Sequence, residues 1–290
     1  MKPIHLLFML AIDVVWGFNY VAAKFGIFYL PPLWFAALRF LALATILAPW
    51  LRWQTRRMWM VLAVALGAGA FHFAFIFAGL ALADDVSVVA VLTQLGVPFA
   101  TLLGVLLLGE RIRWRRTLGI ALAFSGVVVI GFDPRVFGYI GAVGLVALSQ
   151  VSAAFGLVAM RRLGGVPVFT IQAWLGAISA PVLFLLSLAL EQGQVAATMN
   201  APWQAWGALA FTVLLTSLVG HGGMNWLLLR HSINVVMPLT LLAPLFGVLF
   251  GVWLNGDQIS GRFLLGGFIT LVGVLIIILR QPEAAKAAAP

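Results

Sequence analysis

The sequence predicts an all-α polytopic membrane protein. Ten transmembrane helices are expected, arranged as two inverted five-helix repeats around a central cavity, with both termini cytoplasmic. Three observations predict this: composition, an internal duplication, and the placement of arginine. Of 290 residues, 63% are hydrophobic and only 9% charged, whereas soluble domains carry roughly a quarter charged residues. Residues 86–108 hold no charge at all; at about 1.5 Å per residue they outreach a hydrocarbon core of roughly 30 Å. The apolar runs are long and lack a period of two, which selects helices over barrel strands.

The duplication is clearest between Val88 and Ile130. Shifted by 147 residues, Leu92, Thr93, Phe99, Gly104, Gly109 and Ile112 recur as Leu239, Thr240, Phe246, Gly251, Gly256 and Ile259. Arg115, Gly119 and Gly126 recur as Arg262, Gly266 and Gly273. Leu and Val coincide easily in apolar sequence. Chance does not also align four glycines and the turn Gly109-Glu110-x-Ile112 with Gly256-Asp257-x-Ile259. The first repeat is placed at residues 1–132 and the second at 137–280, and the Ala-rich residues 281–290 are expected to be a disordered tail.

The spans follow in order, set apart by helix breakers. Residues 4–23 and 33–51 flank Pro31-Pro32, and residues 58–83 run up to Asp84-Asp85. Residues 86–108 lead through the Gly109 turn into 114–132. The second set is 137–160, 168–190, 203–229, 235–254 and 263–279, broken by Gly164-Gly165, the longer loop 191–202 and Asn255-Gly256. Pro98 and Pro244 fall mid-span, one position out of register under the shift; each frees a carbonyl and can kink its helix.

With the N-terminus inside, cytoplasmic segments hold thirteen of the 17 basic residues, Arg52, Arg56, Arg57, Arg111, Arg113, Arg115 and Arg116 among them. Only Lys24, Arg135 and Arg262 fall outside, with Arg39 within a span. This positive-inside bias makes both termini cytoplasmic. Five spans per repeat is an odd number, so the second repeat enters the membrane upside down. Inverted repeats mark secondary transporters, whose substrate site lies near the midplane between the halves. The net charge of +9 resides in the connectors, where it anchors the chain and calls for no nucleic acid. A chain without cysteine has no disulfides, thiol catalysis or cysteine-based metal sites. Asp13 interrupts the first apolar run, which is of spanning length and does not read as a cleavable signal.

Trp16-Gly17-Phe18-Asn19-Tyr20, then Lys24, Pro31-Pro32 and Arg39-Phe40, resembles the first two spans of the EamA-like transporters of the drug/metabolite transporter superfamily. Gly109-Glu110-Arg111-Ile112 before a Gly-rich fifth span is similar to a later motif of that family. Asp257 stands where the family often has Glu, and Asp13 lies outside its motif. The resemblance covers essentially the whole chain. It implies ten helices in two inverted repeats, a cavity bounded by spans 1–4 and 6–9, and export of small metabolites, with amino acids the best-known cargo.

Asp13 lies near the middle of the first span, where a carboxylate costs roughly 2.5–3.5 kcal/mol on insertion scales and must face protein or a wet cavity. It is the coupling candidate: a proton carrier, or a hydrogen-bonded structural group. The candidate substrate-binding residues are Trp16, Asn19, Tyr20, His72, Gln94, Ser149, Gln150, Trp174 and Ser217. Their polar members either line a cavity or join helices; Trp16 and Trp174 lie deeper than the interfacial tryptophans and either line the cavity or pack. His221, among Gly220, Gly222 and Gly223, reads as close helix packing. Neither His72 nor His221 has further ligands at metal spacing, so no metal is expected. Lys24 and Arg39 are placed toward the outer helix ends. They either attract a substrate carboxylate at the outer mouth or pair with Asp84 and Asp85 and cap helices. The second reading is preferred, because the acidic pair sits at the same depth.

The expected function is a multi-pass exporter of the cell inner membrane, working by alternating access without a cofactor. Amino acids come before other cargo such as nucleosides or cationic drugs. A phosphate substrate would want clustered Lys or Arg in the cavity. An intramembrane enzyme finds no HExxH, GxSxG or paired intramembrane aspartates here, while a passive channel stays open. Partners are a small-molecule substrate and the bilayer; the oligomeric state is left open, a monomer sufficing.

Overall fold

In hydrocarbon each backbone N–H and C=O must find its partner within the protein, so long apolar runs close their own hydrogen bonds as helices. A computed structural model describes residues 2–109, 112–163, 165–228, 230–231 and 233–279, and every regular element among them is a helix. The main apolar helices, in chain order, are α1 (Pro3–Tyr29), α2 (Pro32–Ile46), α3 (Met58–Leu82), α4 (Val86–Leu108), α5 (Trp114–Gly131), α6 (Ile140–Arg161), α7 (Val168–Leu190), α8 (Trp203–Leu228), α9 (Met237–Asn255) and α10 (Gly261–Leu279); short helical segments lie between some of them. All but α2 are long and apolar enough to cross a membrane, and α2 is a shorter apolar helix. The tail 281–290 lies outside the described residues, as do Glu110 and Arg111.

Helices α4 and α7 keep the bounds read from sequence. Helix α1 runs six residues further, to Tyr29, because Lys24 does not end it. The Lys24 ammonium donates to the carbonyls of Leu80 (2.8 Å) and Ala83 (2.6 Å), where a cation offsets the negative end of α3. Helix α2 ends five residues earlier than expected. A tight 3-10 turn at Ala48–Trp50 replaces its last turn, since Pro49 has no N–H to continue the α-helix and disfavours it at Ala48. The loop after α7 is not structureless: it contains the helix Gln194–Asn200. Glu191 at its start accepts from the amides of Leu33 (2.7 Å) and Trp34 (3.1 Å), so a carboxylate caps the N-terminus of α2.

Helices α5 and α10 form one closely packed pair and α2 and α7 another, while α1 packs on α8 and α9 as α6 packs on α3 and α4. Small residues permit the closest approach. A Cβ on Gly119 would sit 2.8 Å from the Gly273 carbonyl, and one on Gly266 would sit 2.5 Å from the Gly126 carbonyl. The two turn glycines matched in the sequence share a conformation, Gly109 at φ 66° and Gly256 at φ 75°, the left-handed cap for which glycine has no steric penalty.

On one face of the molecule the connectors interlock. Asp257 accepts from the Ser87 amide (2.6 Å), the Ser87 hydroxyl and the Asn255 amide (2.6 Å). Asp85 accepts from the Tyr139 hydroxyl (2.8 Å) and the Gln258 amide (3.3 Å), and Asp133 from Ser260. Burial and the neighbouring Asp85 push the Tyr139 phenol above its usual range, so it stays a donor.

Candidate functional site

A cavity of about 380 Å³ opens between the two halves, lined by side chains of α1, α2, α3, α4, α6, α8 and α9. Its size is that of a small-molecule pocket. Two departures from regular helix shape its walls. Helix α3 widens to π geometry over Ala65–Phe71, directly before His72, and α8 does so over Thr212–His221. A π turn displaces carbonyls from their usual donors, and hydroxyls take them up. Ser179 donates to Ala65 (3.0 Å), Ser152 to Gly67 (2.7 Å) and Ser217 to Thr212 (3.1 Å). Helices α4 and α9 instead tighten, at Thr93–Leu95 and Met237–Leu241. Pro98 and Pro244 follow; neither supplies an N–H to the carbonyl four residues back, at Gln94 and Thr240. Both Gln94 and Thr240 line the cavity.

Of the residues named from sequence, Trp16, Asn19, Tyr20, His72, Gln94 and Gln150 line this cavity. Thr93 gives its hydroxyl proton to the Ala90 carbonyl (2.8 Å), so Tyr20 is the donor in its 2.8 Å bond to Thr93. Thr216 donates to Asn19 (2.9 Å). The His72 Nδ1 lies 3.0 Å from the Ser149 carbonyl; a carbonyl only accepts, so Nδ1 carries the proton and Nε2 the lone pair. Ser149 is buried behind the wall, donating to Val146 (2.6 Å) and accepting from Gln150 (2.9 Å). Ser217, also buried, accepts from Arg39 (3.0 Å).

Trp174 is elsewhere. Its indole N–H donates to the Arg52 carbonyl (3.0 Å) and its ring meets Trp53 edge-on. Lying only six residues into α7, it reaches the connector after α2 and not the midplane.

Arg39 corrects the preferred sequence reading. It does not pair with Asp84 or Asp85 at an outer helix end. Helix α2 starts at Pro32, which carries Arg39 about two turns into the helix, where it is 2% exposed and lines the cavity. Its guanidinium lies 4.4 Å over the Phe73 ring. His221 also lines the cavity, with its ring 5.5 Å from that of Trp16; close packing falls to Gly220, against Trp16, and to Gly223, against Phe8. Thr93, Thr216 and Thr240 complete the polar lining; the sequence offers Thr216 as a neutral intramembrane donor and acceptor, and Thr93 and Thr240 only as a repeated pair. The recurrence of Thr93 as Thr240 was a signal for two of them. Asp13 is fully buried in α1, outside the cavity lining, and neither of its oxygens has a hydrogen-bond partner among the described residues.

The sequence model of the EamA-like transporter family matches this chain twice, over residues 3–132 and 140–279. A probable amino-acid metabolite efflux pump of Escherichia coli K12 is 26% identical over 96% of both chains. A protein of the same description from Salmonella typhimurium LT2 is 27% identical over 92% of both. A probable terminal-alkyne amino-acid exporter of Streptantibioticus cattleyicolor is 28% identical over 62% of this chain and 59% of its own. One solved crystal structure, at 19% identity, superposes with a TM-score of 0.63 over 95% of this chain and 96% of that one, a likeness of fold alone.

Proposed function

The chain belongs to the EamA-like transporter family, so it is a multi-pass membrane transporter and not an enzyme, and on that premise we propose that it exports small metabolites, amino acids foremost. Export runs across the cell inner membrane by alternating access between inverted repeats at 1–132 and 137–280, with both termini cytoplasmic. The observation that carries this reading is the mid-span cavity, to which helices of both halves contribute polar and aromatic side chains. A site shared by two halves is what rocking one against the other can open to either side in turn. Trp16, Asn19, Tyr20, His72, Gln94 and Gln150 are its substrate contacts; Ser149 holds His72 and Gln150 in place, and Ser217 holds Arg39. The relatives' descriptions as amino-acid efflux pumps support the cargo.

Counterflow tests the proposal. Purified protein in liposomes preloaded with unlabelled amino acid should concentrate external labelled amino acid transiently above equilibrium. A passive channel gives equilibration without overshoot, and that result would refute alternating access. A panel in which nucleosides or cationic drugs exchange and no amino acid does would replace the cargo.

A further inference from the structure

We propose that Arg39 is the carboxylate-binding group of the cavity, and that the transported species is therefore zwitterionic or monoanionic. This rests on the reading of the cavity as the substrate site. A guanidinium carries five N–H donors. At Arg39 only Nη2 has an acceptor, Ser217, whereas Nε and Nη1 are buried with no partner among the described residues. Ser217 spends its own proton on the Thr212 carbonyl, so it presents a lone pair to Arg39 and fixes it without neutralising it. The Phe73 ring face adds attraction for a cation but no counter-charge. No Asp or Glu is among the residues that line the cavity.

A buried cation without a counter-ion is unstable unless an anion completes it. Here the place for that anion is the cavity the side chain lines. Among the anions a metabolite carries, a single planar carboxylate matches one guanidinium, while a phosphoryl dianion would call for more cations than this wall provides. The same cavity is lined by side chains with acceptors for an ammonium group: the Gln94 side-chain oxygen, the Thr240 hydroxyl, whose own proton goes to the Met237 carbonyl, and Nε2 of His72. A zwitterion therefore finds donors at one place and acceptors at others, whereas a monocation meets Arg39 and no carboxylate.

The test compares acid with amide. In proteoliposomes, the amino acid that exchanges fastest in a panel is competed with its own unlabelled acid and its own carboxamide, on wild type, Arg39→Gln and Arg39→Lys. Loss of a charged hydrogen-bond partner predicts that the amide competes about ten- to hundredfold more weakly than the acid on wild type. Arg39→Gln should lose acid transport by a similar factor and abolish the preference, and Arg39→Lys should restore part of both. An amide that competes as well as the acid on wild type overturns the inference and leaves the exporter reading standing; this arm needs no variant to fold. If no amino acid exchanges, thermal stability is measured with 3-phenylpropionate. Stabilisation of wild type, in part of Arg39→Lys, and not of Arg39→Gln would support the carboxylate site while removing the amino-acid cargo. Absence of both exchange and stabilisation overturns the site.

Discussion

The contact between α5 and α10 makes a quantitative prediction, because its two halves are the same contact seen twice. A Cβ on Gly119 would lie 2.8 Å from the Gly273 carbonyl and 2.9 Å from the Ile277 side chain. One on Gly266 would lie 2.5 Å from the Gly126 carbonyl and 2.7 Å from the Ile130 side chain. Under the 147-residue shift Gly119 becomes Gly266, and Gly126 and Ile130 become Gly273 and Ile277. Gly119→Ala and Gly266→Ala should therefore destabilise to a similar degree. Backbone carbonyls cannot rotate aside, so the helices must part by a few tenths of an ångström, an overpacking cost of about 1–3 kcal/mol. Gly144 in α6 supplies the reference, since nothing lies within 4 Å of its Cβ position. There alanine should only gain, by up to about 1 kcal/mol of helix propensity. The assay is thermal unfolding of purified protein followed by tryptophan fluorescence. Gly119→Ala and Gly266→Ala should melt below wild type, and Gly144→Ala at or above it. If Gly119→Ala melts with or above Gly144→Ala, the close-packing account is wrong. If the two interface variants differ by more than about 1 kcal/mol on the scale of the overpacking cost, the packing is not equivalent in the two halves.

Asp257→Ala should destabilise by about 1–3 kcal/mol, because it leaves the buried Ser87 amide without an acceptor; Asp257→Asn keeps an acceptor and should cost less, and equal melting of both with wild type would contradict this. Asp13→Asn should retain exchange at equal pH and lose export driven by a proton gradient, since Asp13 is a fully buried carboxylate that accepts no hydrogen bond among the described residues. Normal pH-driven transport by that variant would make the residue structural. Arg113→Cys, the only cysteine in an otherwise cysteine-free chain, should resist an impermeant maleimide in intact cells; labelling there would reverse the proposed orientation.

Much of the fold was legible because the bilayer makes it local. A chain that must satisfy its backbone internally turns length and apolarity directly into helix, so α4 and α7 end where their breakers stand. The resemblance in Trp16–Tyr20 and Arg39-Phe40 agrees with the family match over both halves. The early end of α2 has a local cause in Pro49, whereas the misplaced end of α1 came from a contact between segments distant in sequence. Lys24 continues α1 because it caps α3, and no window of sequence around Lys24 contains Leu80.

Composition and repetition, then, were enough to determine a helical membrane protein. A bilayer leaves few alternatives to an apolar run of spanning length, and glycines at a left-handed turn, like Gly109 and Gly256, mark themselves. Which polar side chains meet was decided by tertiary structure alone. Successive helical residues point about 100° apart, so one extra residue in a π turn redirects every side chain beyond it. The π segments at Ala65–Phe71 and Thr212–His221 lie directly before His72 and end on His221. The start of α2 shifted by one residue only; contacts with Ser217 of α8 and Phe73 of α3 hold Arg39 at the wall of the cavity and not at a helix cap.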